Sequence, residues 1–417
     1  MKVLLLSLYH PELVRGGAQQ VCYELFGALK AKPDVEPVLL CAVDPAFERL
    51  YKTGARITGF DGRPNEFLFL SRDYDDFWHK TPSRLLIESY VEFLLSVQPD
   101  VVHFHHFLLF GADLVTVTRR TLPSARIVFT LHEFIPICAE RGQMVRRTDG
   151  AQCDHATPVR CHQCQPEHGP ERFFLREQWI KRHFEAVDLF TTPSRFMIDL
   201  YARWGLEPAR LAHVPNGQKN RAASRLPDPP RAKRNRFGFF GQLIDHKGVH
   251  VLLEAVDQLR REGFTDFTVE LNGDNISAAT SAHRELIDDY LERETERPPG
   301  ERLVAMNGSY EVAQLRQRMA RVDWCVAPSV WKEAFALVIS EAWMFGRPVI
   351  CSDLGAMAER VRHEWNGLLF NAGDAAALAA TIRRACTEPG LWQSLSRRIE
   401  PPASDDAMAD DFLKLYR

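Results

Sequence analysis

The sequence lacks any run of about 18 uncharged apolar residues, which a membrane-spanning helix would need. Its first apolar run, KVLLLSLY, is interrupted by His10, Pro11 and Glu12, which predicts a first buried strand and not a signal peptide. Nine cysteines, an odd number in 417 residues without such a signal, fit a reducing compartment with mostly free thiols. We therefore expect a cytoplasmic protein.

The chain also lacks an excess of charge of one sign. Its formal net charge is only −3, which argues against bulk binding to nucleic acid or to an anionic membrane. A G-x-G-x-x-G fingerprint is missing after the first strand, where the chain has only Gly16 and Gly17. A dinucleotide-binding dehydrogenase is accordingly disfavoured, although an ordinary turn glycine explains this pair nearly as well.

Apolar runs of strand length alternate with helical patterns along the whole chain, which predicts an α/β fold with parallel sheets. The length suggests two domains, each a doubly wound, Rossmann-like sheet. We place the N-terminal domain at residues 1–214, a Pro-rich and basic linker at 215–235, and the C-terminal domain at 236–400. In the second half we expect strands in RFGFFG, FTVELNG, RLVAMNG, DWCVAP and RPVICSD. Residues 401–417 should form a short amphipathic helix that returns to the N-terminal domain.

Two carboxylates, Glu333 and Glu341, stand eight positions apart in the apolar run WKEAFALVISEAWMFGRPVICSD. A helix that packs on a core would place its acids on one solvated face, and this run leaves little such face. We expect Glu333 in a loop, a helix that begins near Phe335 to Leu337, and Glu341 inside that helix. The unpaired N–H groups of the helix N-terminus would bind phosphate, and the carboxylates would accept from sugar hydroxyls. Phosphate flanked by hydroxyls describes a nucleotide sugar.

A second phosphate-binding element is expected at Gly241 to Gly248, which follows a predicted strand and opens a helix. A lysine at a helix N-terminus is disfavoured by the helix dipole unless an anion lies beside it, so Lys247 is a candidate phosphate ligand. The strand in VFTLHEF leads to His132 at the edge where sheet ligands bind. The histidines of VVHFHHF, at 103, 105 and 106, resemble a metal site, but no carboxylate or cysteine is adjacent, and we expect them to line the acceptor side.

These motifs, with VDLFTTPSRF, HVPNGQ and NGLLFNAGD, resemble the landmarks of GT-B fold, family 4 glycosyltransferases, which are retaining enzymes that use nucleotide sugars. The resemblance implies two Rossmann-like domains that face a central cleft. It implies transfer of a hexose-type sugar from a nucleoside diphosphate to a hydroxyl of a glycan, a lipid-linked acceptor or a small molecule. No catalytic metal is implied, and the leaving phosphate would help to remove the acceptor proton.

The resemblance also assigns roles to individual residues. Lys247 and the amides of Phe335, Ala336 and Leu337 would hold the diphosphate, Glu341 the ribose hydroxyls, and Glu333 the transferred sugar. Gly17 and Gly241 would let the backbone approach the donor, and His132 would contact its sugar. Glu333, His132 and Lys247 are thus the candidate catalytic residues. The family usually has an arginine where this chain has Gln242, so Lys247 would carry the leaving-group charge with less help.

A loop at residues 136–170 contains Cys138, Cys153, Cys161 and Cys164, and no hydrophobic periodicity explains how it folds. Four thiolates on one structural zinc ion would order such a loop, and some members of the resembled family carry a similar pattern. A neighbouring histidine (155, 162 or 168) would be able to replace one ligand. Free thiols explain the four cysteines about as well.

Other interpretations stay open. The segment RFFLREQWIKRHF, residues 172–184, has two interpretations. It would rest on a membrane as a peripheral contact, or it would pack its aromatic side chains on the sheet. We favour packing on the sheet. The same fold would suit a sugar-nucleotide epimerase or a phosphorylase. A non-enzymatic zinc-knuckle module that binds nucleic acid is a more remote alternative, against which the near-neutral charge argues.

Overall fold

The computed structural model describes residues 1–51, 54–219, 225–230 and 232–417. The chain divides into two compact units, one formed by Met1–Lys219 with Ala403–Arg417 and the other by Asn220–Pro402. The predicted linker at 215–235 includes residues 220–224 and 231, which lie outside the described residues.

The first unit is built on an eight-stranded sheet with helices between most of its strands. The strands are β1 (Lys2–Leu8), β2 (Glu36–Val43), β3 (Ile57–Gly59), β4 (Glu66–Leu70), β5 (Val101–Phe104), β6 (Arg126–Thr130), β7 (Leu189–Thr192) and β8 (Leu211–His213). The helices are α1 (Gly17–Lys30), α2 (Arg84–Val97), α3 (Asp113–Thr121), α4 (Pro158–Cys164), α5 (Pro170–Phe184) and α6 (Arg195–Trp204).

The strand order in the first sheet is β3-β4-β2-β1-β5-β6-β7-β8, and every pair is parallel except β3 with β4. The central strand β1 has five consecutive buried residues, because both faces of a parallel sheet are covered by helices. Connections leave β1 toward β2 on one side, and β5 lies on the other side. The order reverses at this strand, and ligands of doubly wound sheets bind beside the carboxyl end of such a strand.

The second unit is built on a six-stranded sheet. Its strands are β9 (Arg236–Phe240), β10 (Thr268–Asn272), β11 (Val304–Gly308), β12 (Trp324–Ala327), β13 (Val349–Ser352) and β14 (Gly367–Phe370). Its helices are α7 (Val249–Arg261), α8 (Ser281–Glu296), α9 (Leu315–Arg321), α10 (Leu337–Met344), α11 (Gly355–Arg360), α12 (Ala375–Thr387) and α13 (Leu391–Arg397).

The second sheet is parallel throughout, in the order β11-β10-β9-β12-β13-β14, and its order reverses at β9. The five strands expected from the sequence are all present, and β14 is a sixth that was not predicted. Helix α7 places Leu252, Val256 and Leu259 in the core, at the spacing of one helix face. Both sheets together confirm the predicted fold class, an α/β chain with two Rossmann-like domains.

The C-terminal segment ends in α14 (Asp405–Tyr416), and it belongs to the first unit. The Ser404 side chain accepts a hydrogen bond from Ala407 N and so caps the helix. Lys32 lies 2.6 Å from both Asp406 and Asp410, and the hydroxyl of Tyr416 lies 2.7 Å from His103 Nδ1. No helix among the described residues is long and apolar enough to cross a membrane.

Candidate functional site

Three loops meet at the carboxyl edge of the second sheet. They follow β9, β12 and β13, which are neighbours in the sheet, and the carboxyl ends of parallel strands share one edge. Val330 N donates to His246 O at 2.9 Å, which joins the first loop to the second, and Ala356 N donates to Glu333 O at 3.1 Å, which joins the second to the third. This edge adjoins β9, where the strand order reverses, so it is the expected ligand site of this unit.

Glu333 and Lys247 form the centre of this edge. The Lys247 Nζ atom donates to Glu333 Oε1 at 2.7 Å, and the same oxygen accepts from Ser329 Oγ at 2.8 Å and from Trp331 Nε1 at 3.0 Å. The Glu333 side chain is buried, whereas that of Lys247 is 26% exposed. Burial by itself raises the pKa of Glu333, but the attraction of Lys247 and these hydrogen bonds outweigh it, so its pKa lies below the ordinary value of 4.5. The carboxylate is therefore ionised at neutral pH.

Lys247 lies in a short 3-10 turn, Asp245–Lys247, immediately before Gly248 and α7. Gly248 has φ +73°, and a Cβ atom there would lie 1.9 Å from Pro328 O, so only glycine fits between the two loops. The close approach brings the end of the β9 loop against the start of the β12 loop. This packing explains why Lys247 and Glu333, which are 86 positions apart, meet in the folded unit.

Helix α10 begins at Leu337, as the sequence predicts, and it leaves Glu333 in the preceding loop and Glu341 in its second turn. Its N-cap residue Ala336 has left-handed backbone angles, φ +59° and ψ +75°. No hydrogen bond from the N–H of Ala336 or Leu337 is found within the described part of the chain. The N–H groups at the start of a helix have no partner inside that helix. Glu341 is half-buried. Burial is the main cause of the raised pKa of Tyr310, and the negative charge of Glu341 is the second cause, so the two groups are close.

Gly241 and Gln242 directly follow β9, in the loop that leads to Lys247. Gly241 N donates to Asn272 O at 3.0 Å, and a Cβ on Gly273 would lie 1.7 Å from Gly241 O. The Gln242 side chain is half-buried. The structure thus brings Gly241, Gln242, Lys247, Glu333, Phe335, Ala336, Leu337 and Glu341 to one edge of one unit, and the roles predicted for them stay predictions.

Gly17 and His132, the other two predicted donor residues, belong to the first unit. Gly17 is the first residue of α1, and Gly16 before it has φ −160°, an extended backbone that any residue adopts. His132 lies two residues beyond β6, and its Nε2 atom is 2.8 Å from Nδ1 of His105. Burial, then the nearby His105 and His106, hold the pKa of His132 well below 6.5, so the ring is neutral at pH 7.

Of the three histidines of VVHFHHF, His103 lies in β5, and His105 and His106 follow the strand. His103 lies within the strand and contacts Thr130 Oγ1 at 2.7 Å, and His106 Nδ1 lies 3.0 Å from Glu133 Oε1. In the described ranges, no group of three or more His, Cys, Asp or Glu side chains is arranged to hold a metal ion. The partner of His132 was not predicted, because the sequence contains no spacing rule that pairs residues of separate strands. Ser329 and Trp331, which lie in the same loop as Glu333, were not predicted either.

The four cysteines of the 136–170 loop surround one small cavity of about 30 Å³, lined by Cys138, Cys153, Cys161 and Cys164. The loop is more ordered than predicted, because α4 carries Cys161 and Cys164. None of the four is in a disulfide, and burial raises the pKa of Cys161 to about 11. The donor chemistry is that of a zinc site, whereas the side chains as they stand are not arranged around a metal. The zinc prediction stays a prediction.

Two family models match this chain. The model described as Glycosyltransferase Family 4 matches residues 15–218, and the model described as Glycosyl transferases group 1 matches residues 234–388. The first range covers nearly all of the first unit before the C-terminal segment, and the second range contains Lys247, Glu333 and Glu341.

Curated relatives include glycogen synthases and a mannosyltransferase. A glycogen synthase of Mycobacterium tuberculosis is 24% identical over an alignment of 423 positions. The alignment covers 97% of this chain and 91% of that protein. A glycogen synthase of Alkalilimnicola ehrlichii is 27% identical and covers 78% and 72% of the two chains. A phosphatidyl-myo-inositol mannosyltransferase of Mycobacterium leprae is 28% identical over 190 residues, 44% of this chain and 47% of its own.

Solved structures share the fold over the full length. Sucrose-phosphate synthase from Thermosynechococcus elongatus has a TM-score of 0.71 at 20% identity, with 100% of this chain and 98% of that chain covered. Anabaena HepE, solved in complex with UDP and glucose, has a TM-score of 0.66 at 17% identity, with 100% and 99% covered. At this identity the likeness establishes the fold, and with the family models it identifies the chain as a family 4 glycosyltransferase of the GT-B fold.

Proposed function

We propose that the protein is a retaining glycosyltransferase that moves a hexose-type sugar from a nucleoside-diphosphate sugar to a hydroxyl acceptor. The observation that supports this most is the meeting of Lys247, Glu333 and the N-terminus of α10 at the sheet edge where the strand order reverses. A cation, free N–H groups and a buried carboxylate at one edge suit phosphate and sugar hydroxyls together.

The diphosphate would lie at the N-terminus of α10, near Lys247. Donors already in place at that point stabilise the charge that develops on the leaving phosphate without having to reorganise. Glu341, in the second turn of the same helix, would accept from the ribose hydroxyls. In this chain Lys247 is held by Glu333, so the pair is neutral before the donor binds. Binding of the donor would require Lys247 to turn from the carboxylate toward the phosphate or to contact both.

The transferred sugar would lie beside Glu333. Its Oε1 atom already accepts from three protein donors, which leaves Oε2 for hydroxyls of the sugar. His132 would contact the sugar from the first unit as a neutral ring that donates one hydrogen bond and accepts another. The reaction would need no catalytic metal.

A thermal-shift screen of UDP-, GDP- and ADP-sugars tests the proposal. A donor that binds the native state raises the melting temperature by an amount set by its concentration relative to Kd. We expect one donor class to stabilise the protein, and Lys247→Met to remove most of that effect. Lys233→Met, a lysine of the same unit that pairs with the exposed Asp266, is the matched control. No response to any of the three classes would contradict the proposal.

Product analysis separates transfer from the alternatives on the same fold. A transferase releases the nucleoside diphosphate and forms a new glycoside only when a hydroxyl acceptor is present. Epimerisation would change the donor without an acceptor, and a phosphorylase would require inorganic phosphate. The anomeric configuration of the new glycoside, compared with the donor, tests retention.

We also propose a cytoplasmic location with a peripheral membrane contact through α5. Phe173, Ile180 and Phe184 are buried, as packing on the sheet predicts, but Phe174 and Leu175 are each 51% exposed. Exposed apolar side chains beside Arg172 suit an anionic lipid surface. Phe174→Ser with Leu175→Ser should reduce co-sedimentation with vesicles that contain anionic lipid, whereas Leu95→Ser, at another exposed apolar site, should not. Equal binding of both variants would contradict the contact.

A structural zinc ion is the last part of the proposal. The support for it is the set of four thiols around one cavity, in a loop with few buried apolar residues. Arg176, buried nearby, would balance the negative charge of thiolates. Burial lowers the pKa of Arg176, whereas Cys138 and Cys161 both raise it by a smaller amount. Elemental analysis of protein prepared without chelator should give about one zinc per chain. Absence of metal together with four titratable thiols would defeat this part.

A further inference from the structure

Arg360, at the end of α11, holds the backbone at the N-terminus of α10. Its Nη1 atom donates to Phe335 O at 2.8 Å and to Ala336 O at 2.9 Å. Its Nη2 atom donates to Ser340 Oγ at 2.5 Å, and its guanidinium lies 3.8 Å from the centroid of the Phe335 ring. One side chain thus contacts the loop, the N-cap and the first turn of the helix.

The two carbonyls that Arg360 binds determine where two N–H groups point. The carbonyl of Phe335 shares a peptide plane with the N–H of Ala336, and the carbonyl of Ala336 shares one with the N–H of Leu337. In a trans peptide the C=O and N–H point in opposite directions. Arg360 therefore holds these two N–H groups pointing away from itself, with Ile339 N as a second donor to the Ala336 carbonyl at 3.0 Å, and they are the amides expected to hold the donor diphosphate. A carbonyl that accepts from a cation also makes the N–H of its peptide a stronger donor.

Arg360 also contributes positive charge at this point. The charge of the exposed neighbour Glu359 raises the pKa of Arg360, but no ion pair between Arg360 and a carboxylate is found in the part of the chain that the structure describes. Burial lowers its pKa to about 9, so the group is still a cation at neutral pH. A cation without a paired anion, next to a helix N-terminus, makes the local potential more positive. Gln242, which follows β9 at the same sheet edge, stands where the resembled family usually has an arginine.

We propose that Arg360 is a positioning residue for the donor diphosphate. It fixes the amides of Ala336 and Leu337 toward the phosphates and supplies, from behind the peptide planes, charge that Gln242 does not supply. The inference rests on the proposed function, because it concerns the diphosphate of a nucleotide-sugar donor. It concerns the phosphates specifically and not the nucleoside.

Calorimetric titration of the full chain with UDP and with uridine tests this. Arg360→Met removes the charge and the donors while keeping much of the side-chain volume. We expect it to weaken UDP binding about tenfold or more, and uridine binding less than about twofold. Arg360→Lys keeps the charge but cannot donate in the same planar geometry, so its loss should be intermediate. Arg360→Gln keeps a donor without the charge, and it should fall between Lys and Met.

Arg347→Met is the matched control. Arg347 is a buried arginine of the same unit that donates to the Met319 carbonyl, but it precedes β13 and so lies at the opposite edge of the sheet. It should leave UDP and uridine binding within about twofold of the wild type at a temperature where it is folded. If Arg360→Met does not fold, the Lys and Gln variants carry the same comparison.

Two failures can be told apart. In the first case the wild-type chain binds UDP, and Arg360→Met weakens the binding of UDP and of uridine equally or weakens neither. Arg360 then has a general structural role, and the inference is overturned. The Lys and Gln variants replace Arg360→Met in this comparison if that variant does not fold. If the wild-type chain binds none of UDP, GDP and ADP, the proposed function itself fails. Should GDP or ADP be the diphosphate that binds, guanosine or adenosine replaces uridine in the comparison.

Discussion

Replacing Glu333 by glutamine should lower stability and activity but should strengthen the binding of UDP, the nucleoside-diphosphate product. Glu333→Gln keeps the shape of the side chain and one oxygen that accepts from Ser329 Oγ and Trp331 Nε1. It removes the negative charge that lies 2.7 Å from Lys247 Nζ. Lys247 then becomes an uncompensated cation at the edge where the diphosphate is expected.

The stability cost can be estimated from the pair. At an effective dielectric constant of about 20, two unit charges 2.7 Å apart attract with about 6 kcal/mol before desolvation is subtracted. Removing one partner of a fully buried pair costs about 3–5 kcal/mol. Because the Lys247 side chain is 26% exposed and can be rehydrated, we expect about 1–3 kcal/mol. For a unit of this size that lowers the melting temperature by roughly 2–10 °C.

Ligand effects should have opposite signs. A phosphate charge on the far side of Lys247 Nζ would lie about 7 Å from the Glu333 carboxylate, so loss of the carboxylate charge would gain about 2 kcal/mol from that nearest phosphate charge at the same dielectric constant, and salt screening reduces this to about 1 kcal/mol. UDP should therefore bind about fivefold more tightly. The transferred sugar loses a charge-assisted hydrogen bond worth about 2 kcal/mol, so kcat/KM should fall at least about tenfold.

The assay is a melting curve with and without UDP, beside a rate measurement with the donor that the screen identifies. The rise in melting temperature caused by UDP should be larger in Glu333→Gln than in the wild type. The difference between the two proteins without ligand should also depend on pH. A carboxyl whose pKa is lowered by folding stabilises above its unfolded pKa, and this contribution disappears as the pH falls through the folded value. The difference should be complete at pH 7 and shrink below about 4.5.

One result would refute this reasoning. If Glu333→Gln bound UDP more weakly and lost activity to the same extent, while its melting temperature fell, Glu333 would serve to hold the loop and not to contact the sugar. Lys247→Met in the same assay checks the assignment, because it should weaken UDP binding whatever Glu333 contacts.

Three further changes test separate parts of the site. Glu341→Gln should weaken nucleotide-sugar binding about tenfold without unfolding the protein, measured as donor Kd; an unchanged Kd would remove the ribose assignment. Gln242→Arg should tighten binding of UDP more than that of uridine, by calorimetry, and equal effects would show that position 242 does not face the diphosphate. Replacing Cys161 and Cys164 together by serine should lower the melting temperature and raise KM for acceptor more than the donor Kd. A melting temperature unchanged in that variant would indicate ordinary reduced cysteines.

The local part of the candidate site was predictable from the sequence. The apolar run, with Gly346 and Pro348 after it, predicts a helix that begins near Leu337. It also predicts that Glu333 lies in the preceding loop and Glu341 in the helix. The fold class follows from the alternation of strand-length and helical patterns. Strand β14 was missed, although β12 and β13, which are also four residues long, were predicted; its residues were noted only as part of the NGLLFNAGD motif.

Contacts between elements far apart in the sequence could not be predicted. Arg360 is an arginine at the end of a six-residue helix, and nothing in its neighbourhood along the chain indicates that it binds the carbonyls of Phe335 and Ala336. His105 and His132 follow different strands, and they meet only because β5 and β6 are neighbours in the sheet.

The sequence by itself determined which residues form strands and helices, since hydrophobic periodicity and caps act over a few residues. It also determined which chemistry the chain carries, a lysine and two carboxylates among apolar residues. Only the tertiary structure decided that Lys247 neutralises Glu333 and that a guanidinium lies behind the amides of α10. Strand order and the close approach at Gly248 bring these groups together, and those depend on packing of the whole unit, which no local pattern encodes.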